Sequence, residues 1–275
     1  MPLDLDAYLA RIGLSQPGRA DFDTLAAIQR AHTQAIPFEN LDPFTGRGVA
    51  LDLDALQSKL VHGRRGGYCY EHNLLLGAAL RALGFAVVDL AARVRWNVAE
   101  DVVRARTHML LVVALDGERF VVDAGFGGMT MTAPLRLERR GPQVTPHGTF
   151  RLHRESGSEA VQVSLGGAWK TLYTFTHEPQ LLADYELTSW YLCHHPDSLF
   201  RHVLVAARPA PEGRWTLRDR VLTLHQPDGR SESQTLHGVA ELKQALAGNF
   251  GIELSRIESL DARLAELVVS ATAAA

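Results

Sequence analysis

The sequence predicts an α+β protein of two or three subdomains, with helices first, short strands next and a mixed segment last. In the first 84 residues, apolar side chains recur at helical spacing. Residues 85–176 contain short runs rich in β-branched and aromatic residues, some separated by paired turn residues. Helical and strand patterns alternate beyond residue 179. The length of 275 residues is enough for about two domains or one large one.

Four helices are predicted in the first 84 residues. The first should end at Gly13 and the second before Pro37, because glycine favours a helix C-terminus and the residue before proline avoids helical dihedrals. The third helix should end near Gly63. The fourth should begin near Cys69 and stop at Gly84. This last helix matters most, because it would place a cysteine at its N-terminus.

The middle region is predicted to form a small barrel or a curled sheet. Asp116-Gly117 and Gly166-Gly167 are typical two-residue hairpin turns between neighbouring strands. The expected strands are residues 85–96, 107–115, 118–124, 149–153, 161–165 and 169–176. After them we expect a helix over 179–194, strands within 203–224 and a short helix over 241–247.

Composition excludes several classes of protein. Hydrophobic residues make up 46% of the chain and charged residues 21%, which is typical of globular proteins. The net charge of −3 gives no basic field for nucleic acid or an anionic membrane. No apolar stretch approaches the roughly 20 residues of a membrane helix, and the start of the chain lacks a signal-peptide pattern. With only two cysteines, a reducing cytoplasm is the expected location.

Cys69 lies in the most informative segment, Arg64 to Asn73, which reads RRGGYCYEHN. The glycine pair allows a tight turn, and the positive end of the following helix dipole favours a thiolate. The two arginines add to that effect, and a thiolate is the nucleophilic form of cysteine. Taken alone, Cys69 would be interpreted as a buried structural cysteine, since free cysteines are often buried, and the flanking glycines and arginines make a nucleophile an equal alternative.

A hairpin further along supplies a candidate base. If Asp116-Gly117 forms a two-residue turn, Leu110 faces Asp123 across the hairpin. His108 lies on the same face as Leu110, so Asp123 is its diagonal neighbour at roughly 7–8 Å between backbones. That separation allows a hydrogen bond between the carboxylate and the imidazole. Gly125 would face His108 directly and leave its ring uncrowded.

His108 and Asp123 alone could be a polar pair that braces a sheet. Together with Cys69 they are better interpreted as a Cys-His-Asp triad. Cys69 would attack an acyl carbon, His108 would take its proton, and Asp123 would orient and support the imidazolium. Only the fold can bring Cys69 to His108.

Four segments resemble the arylamine N-acetyltransferases. They are 36–41 (IPFENL), 65–73 (RGGYCYEHN), 107–111 (THMLL) and 122–127 (VDAGFG), in the order and at the intervals typical of that family. The resemblance covers essentially the whole chain. It implies an N-terminal helical bundle, a central β-barrel and a C-terminal α/β lid, with a triad arranged as in cysteine proteases. The corresponding domains are 1–84 with the cysteine, 85–178 with His and Asp, and 179–275.

The resemblance also implies a ping-pong reaction. Acetyl-coenzyme A would acylate Cys69, and an aromatic amine, hydrazine or N-hydroxyarylamine would then take the acetyl group, as in xenobiotic metabolism. No metal, nucleic acid or membrane takes part in such a reaction. The oligomeric state is open.

Substrate contacts follow from the same resemblance. Phe38 and Phe126 would line the acceptor pocket and stack on an aromatic ring, although ordinary core packing is an alternative for both. Val94 and Trp96, on the strand before His108, are further candidates for pocket walls.

Supporting and cofactor contacts complete the expected site. Arg65 would pair with Glu39 and hold two motifs together, and the backbone N–H of Cys69 would donate to the oxyanion. Contacts with coenzyme A are expected from Arg104, from the glycine-rich turn at Gly127 and from the lid. That turn matches none of the standard phosphate-binding motifs.

Other functions use the same residues. A cysteine hydrolase or a transglutaminase-like enzyme would direct the triad at a peptide or protein amide, and an amide synthase would close a polyketide chain. The acceptor distinguishes these reactions: water, a protein amine or a small aromatic amine. A binding module with an inert triad would not be acylated on Cys69 by any donor.

Overall fold

The first third of the chain is helical, as predicted. The computed structural model describes residues 2–16, 18–99, 101–155 and 157–273. Aspartates cap several of these helices: Asp4, Asp21 and Asp52 each accept a hydrogen bond from the backbone N–H three residues later. The elements are α1 (Leu5–Arg11), α2 (Phe22–Ala35), β1 (Phe38–Glu39), α3 (Leu41–Phe44), α4 (Leu53–Leu56) with its π-helical continuation Gln57–His62, and α5 (Cys69–Ala82).

The expected helix ends are present. The second helix stops before Pro37, and Gly13 and Gly84 follow α1 and α5 with φ of 76° and 88°, values that glycine adopts without strain. The third helix differs from the prediction, because its second half is wound as a π-helix before Gly63. The pattern of apolar residues does not distinguish these two windings over so short a segment.

The middle region is an eight-stranded antiparallel sheet that curls into a nearly closed barrel. Its spatial order is β5-β4-β3-β2-β9-β8-β7-β6. Six of the strands were predicted, and the two missed, β5 and β6, are too short to show a period of two. The strands are β2 (Ala86–Val94), β3 (His108–Leu115), β4 (Glu118–Val122), β5 (Leu135–Arg136), β6 (Gln143–Thr145), β7 (Gly148–Glu155), β8 (Ser158–Leu165) and β9 (Ala168–Pro179).

The side chain of Gln143 bridges the two edge strands of this sheet. Its Oε1 accepts from the backbone N–H of Arg136 at 2.8 Å, and its Nε2 donates to the carbonyl of Arg136 at 3.0 Å and of Arg139 at 3.2 Å. The amide thus replaces the backbone hydrogen bonds that a closed ladder would have. Apolar side chains such as Leu110, Val121 and Tyr173 fill the interior.

The last part of the chain combines helices with a second antiparallel sheet of order β1-β10-β11-β12-β13. Its edge strand β1 comes from the helical region, because Phe38 pairs with Ala207. The elements are α6 (Leu182–His194), α7 (Leu199–His202), β10 (Val205–Ala210), β11 (Gly213–Arg218), β12 (Val221–His225), β13 (Ser231–Thr235), α8 (Val239–Gly248) and α9 (Leu260–Ala273). The sequence patterns did not predict β1, β13, α3, α7 or α9.

One core joins the helices to the barrel. Leu75, Leu76 and Ala79 of α5 are buried in the same cluster as Leu111 and Val113 of β3. This packing fixes the N-terminus of α5 beside the start of β3. In the described part of the chain, no helix has both the length and the apolar character needed to cross a membrane.

Candidate active site

Cys69 is the first residue of α5, and the glycines before it allow a close backbone approach. The N–H of Glu39 donates to the carbonyl of Gly67 at 2.8 Å, so the chain before Cys69 runs alongside β1. A Cβ on Gly66 would lie 2.0 Å from the carbonyl oxygen of Pro37. Neither Gly66 nor Gly67 has a positive φ. The pair is therefore needed for space rather than for a left-handed turn.

The β3–β4 hairpin has the predicted register. Leu115 pairs with Glu118, and the two turn residues Asp116 and Gly117 have φ of 50° and 79°. His108 begins β3, and its Nε2 lies 2.7 Å from Oδ2 of Asp123. The diagonal contact that the sequence predicts is present.

Burial and hydrogen bonding set the charges of this pair. Asp123 is fully buried, which raises the pKa of a carboxyl, but the His108 imidazole and hydrogen bonds from Asn73 and Gly125 outweigh burial and hold its pKa below the ordinary value. Burial lowers the pKa of His108, yet the Asp123 charge and a hydrogen bond with Cys69 raise it to about 10. His108 can therefore hold a proton beside the sulfur.

Cys69 is 4% exposed and lies between barrel and helices, with its Sγ 3.6 Å from the carbonyl oxygen of Thr107. Arg65 was expected both to favour the thiolate and to pair with Glu39, and the structure has the pair with Glu39 together with a second carboxylate. Its guanidinium lies 2.8 Å from Glu39 and 3.4 Å from Asp42. The positive groups left beside the sulfur are the helix N-terminus and His108.

Asn73, whose role the sequence analysis missed, ties the triad elements together. Its Nδ2 donates to the carbonyl of Met109 at 2.7 Å and to Oδ1 of Asp123 at 3.0 Å, and its Oδ1 accepts from the N–H of Ala124 at 3.0 Å. The available signal was its spacing, since a residue four positions after Cys69 shares its helix face. Asn73 thus fixes α5 to both strands of the hairpin.

Gly125 has a different role from the one expected. The sequence suggested that it leaves space for the His108 ring. In the structure a Cβ at this position would lie 2.6 Å from Cα of Cys69 and 3.0 Å from its carbonyl oxygen. The glycine makes room for the backbone of the cysteine, and so lets the hairpin approach the start of α5.

A pocket of about 440 Å³ opens above Cys69 and His108. The structure places all four predicted wall residues around it: Phe38, Val94, Trp96 and Phe126. The Phe126 ring contacts the His108 ring edge-on at 5.1 Å between centroids. Further apolar walls that the sequence did not indicate come from the last part of the chain: Leu192, Leu199, Phe200, Val205, Ala206 and Ala207.

A second cavity of about 400 Å³ meets this pocket at Met129 and His225, which line both. It contains Arg214, whose buried guanidinium donates, among the residues that the structure describes, only to the carbonyls of His147, at 2.6 and 3.2 Å, and Gly128, at 3.4 Å. Burial lowers the pKa of Arg214 to about 10, and within the described residues it forms no ion pair. A buried cation without a carboxylate is suited to an anionic ligand.

The two residues expected at coenzyme A lie apart. Gly127 lines the active-site pocket. Arg104 lines a separate cavity together with Arg93, Arg95 and Arg106. As for metals, the described ranges contain no cluster of three His, Cys, Asp or Glu side chains that could hold an ion.

Comparisons with known proteins agree over nearly the whole chain. A family model described as N-acetyltransferase matches residues 21–259. An arylamine N-acetyltransferase of Mycolicibacterium smegmatis is 45% identical, covering 98% of this chain and 99% of the relative, and that of Escherichia coli is 38% identical, covering 90% and 88%. The solved Mycobacterium marinum arylamine N-acetyltransferase in complex with CoA superposes with a TM-score of 0.93 at 39% identity, covering 96% of this chain and 99% of that one.

Proposed function

This chain belongs to the arylamine N-acetyltransferase family, and from that premise we propose that it moves an acetyl group from acetyl-coenzyme A to an arylamine, arylhydrazine or N-hydroxyarylamine through a thioester on Cys69. It is an acetyl-CoA-dependent acyltransferase. The observation that carries the proposed mechanism is that His108, hydrogen-bonded to Asp123 at 2.7 Å, lines the same apolar pocket as Cys69.

In the first half-reaction, Sγ of Cys69 attacks the thioester carbonyl carbon of acetyl-coenzyme A. Because Nε2 of His108 is bonded to Asp123, Nδ1 is the nitrogen left to hold the proton of the thiol. The C–S bond to coenzyme A then breaks, and the leaving sulfur takes this proton. One thioester replaces another, so the step has little intrinsic energetic cost.

In the second half-reaction, the amine nitrogen attacks the acetyl carbon on Cys69. The backbone N–H of Cys69, at the N-terminus of α5, is positioned to donate to the developing oxyanion. The C–S bond of the enzyme breaks, and His108 accepts the amine proton and returns it to the sulfur. Phe38 and Phe126 provide aromatic surfaces for the acceptor ring.

The second cavity is the proposed position of the donor's diphosphate. It meets the active-site pocket at Met129 and His225, so an extended thiol arm entering between them would reach Cys69. The guanidinium of Arg214, which no carboxylate among the described residues neutralises, would compensate the negative charge of the phosphates. Arg104, in the other cavity, stays a weaker candidate for the same contact.

Intact-protein mass spectrometry after mixing with acetyl-coenzyme A tests the proposal. We expect a single acetyl adduct that disappears when an aminobenzoate is added. Cys69→Ala should give no adduct. Cys193→Ala, the matched control at the only other cysteine, should give the wild-type result.

Three other outcomes would support different functions. An adduct that water removes as fast as the amine would indicate a hydrolase. A thiol that alkylates rapidly but accepts no acetyl group would direct attention to transglutaminase-like or amide-synthase chemistry. No acylation by any donor would favour an inert binding module.

The proposed location of this activity is the cytoplasm. Both cysteines are free and buried, which is compatible with a reducing compartment where thiols persist.

A further inference from the structure

A chain of buried polar groups, unused by the proposed mechanism, runs from the helical core to the wall of the active-site pocket. Oη of Tyr8 lies 2.9 Å from Nδ1 of His32, and Nε2 of His32 lies 3.0 Å from Nδ1 of His72. Nε2 of His72 lies 3.1 Å from the carbonyl oxygen of Pro37. The three side chains are completely buried.

The carbonyl oxygen of Pro37, the last acceptor, fixes the direction of every hydrogen bond between Tyr8, His32 and His72. A carbonyl oxygen only accepts, so His72 carries its hydrogen on Nε2. Burial lowers the pKa of His72 to about 4 and the pKa of His32 well below its ordinary value, so both rings are neutral at pH 7. Nδ1 of His72 therefore accepts from His32, whose own Nδ1 accepts from Tyr8. Each imidazole is held in one tautomer.

The carbonyl of Pro37 is the point where this series of hydrogen-bonded side chains meets the active-site pocket. It also accepts the N–H of Gly67 at 3.3 Å, just before Cys69. The next residue, Phe38, lines the pocket, and its ring is parallel to the His72 ring within 5° at 6.4 Å between centroids. His72 lies one turn after Cys69 on α5. It therefore fixes the Phe38 wall relative to the nucleophile.

We propose that His72 is a positioning residue for the acceptor. Its hydrogen bond to Pro37 holds Phe38 at the distance from Cys69 that an aromatic amine requires, and the Tyr8–His32 segment keeps His72 in the tautomer that makes this bond. The assignment rests on the proposed function. In the proposed mechanism, acylation of Cys69 depends on His108, Asp123 and Asn73, and among the described residues none of these three is hydrogen-bonded to His72. The effect is therefore expected on the amine step.

The test compares His72→Leu with His72→Gln. Glutamine has a donor and an acceptor that can replace the two ring nitrogens, whereas leucine has neither. For His72→Leu we expect the KM for an aminobenzoate to rise about fivefold to tenfold, the size of one lost buried hydrogen bond, with the rate of Cys69 acylation within about twofold of wild type. His72→Gln should restore the KM to within about twofold.

Imidazole ¹⁵N spectroscopy gives a readout that does not depend on turnover. Wild type should show neutral Nε2–H tautomers for His32 and His72, and Tyr8→Phe should broaden or shift the His32 signal and raise the amine KM about threefold to fivefold. This variant also serves if His72→Leu does not fold.

Three results would overturn the proposal. The first is an unchanged amine KM in His72→Leu or, where that variant does not fold, in Tyr8→Phe. The second is an equal rise of the amine KM in His72→Leu and His72→Gln, and the third is an Nδ1–H tautomer of His72 in wild type. A wild-type protein that acetyl-coenzyme A does not acylate would instead overturn the proposed function, and the tautomer measurement would still test the chain.

Discussion

At the scale of single residues, Asp123 shows how a fully buried carboxylate stays ionised. It accepts from Nε2 of His108 at 2.7 Å, Nδ2 of Asn73 at 3.0 Å and the N–H of Gly125 at 2.8 Å. Three donors to one carboxylate offset the cost of burying its charge. Since Oδ2 is directed at Nε2, the imidazole can present only Nδ1 to the sulfur.

Asp123→Asn should lower kcat/KM severely, by about 10³- to 10⁴-fold, because an amide can select the wrong imidazole tautomer and no longer stabilises its positive charge. The overall fold should persist. The measurement is the rate of Cys69 acylation under single-turnover conditions, with Asp261→Asn, an exposed aspartate, as control. A loss of less than about tenfold would leave Asp123 a merely structural role.

Gly125→Ala should impair both stability and acylation, because the added methyl would meet Cα of Cys69 at 2.6 Å. We expect a loss of about 1–3 kcal/mol in the free energy of unfolding, as for other overpacked sites. Gly141→Ala is the matched control, since a Cβ there has no atom within 4 Å. Denaturant melts and single-turnover rates would check both variants, and equal behaviour of the two would contradict the expectation.

At the scale of elements, the β3–β4 hairpin was predictable because its turn is local. Asp116-Gly117 fixed the register, and the register alone placed Asp123 next to His108. The approach of Cys69 was not predictable in this way, because it depends on the packing of α5 against the barrel. The resemblance to a family supplied that step.

Gln143→Leu should destabilise the barrel without changing its chemistry. The change removes the two hydrogen bonds that join Gln143 of β6 to Arg136 of β5, and a third to the carbonyl of Arg139 just after β5. We expect the free energy of unfolding to fall by about 1–3 kcal/mol and kcat to stay close to wild type. Val144→Thr, at a neighbouring and 82% exposed position on the same strand, should be neutral in urea melts. A neutral Gln143→Leu would mean that the barrel does not depend on this bridge.

At the scale of the whole molecule, contacts between distant parts of the chain could not be predicted from the sequence. Phe200 and Leu192 line the pocket although nothing in their local sequence indicates it. The edge strand β1 is only two residues long and pairs with residues some 170 positions later. Such features follow from tertiary packing, which periodicity does not report.

Stability should fall as the pH drops from about 6.5 towards 4.5. The pKa values of His32 and His72 are lowered by burial, so the unfolded state binds more protons in this window and stability is lost on acidification. His147 and His225 act in the same direction. Glu71, with its pKa raised by burial to about 7, opposes them. The net slope is expected to be at least about 1.4 kcal/mol per pH unit.

Urea melts at several pH values would measure this slope. His72→Gln should reduce this slope by about 1.4 kcal/mol per pH unit, the effect of one proton, while keeping the hydrogen bonds that His72 forms. A stability that is flat or rises on acidification would contradict the prediction.

The sheet edges have a consequence for solubility. An exposed, long and apolar edge strand can recruit other chains into aggregates. Among the described residues, the free edges are short or polar: β1 has two residues, and β13 reads SESQT with every side chain exposed. The barrel edges are joined by Gln143. Folded copies therefore offer one another little surface for strand addition, and the protein should stay dispersed at concentrations where an open barrel would form intermolecular sheet.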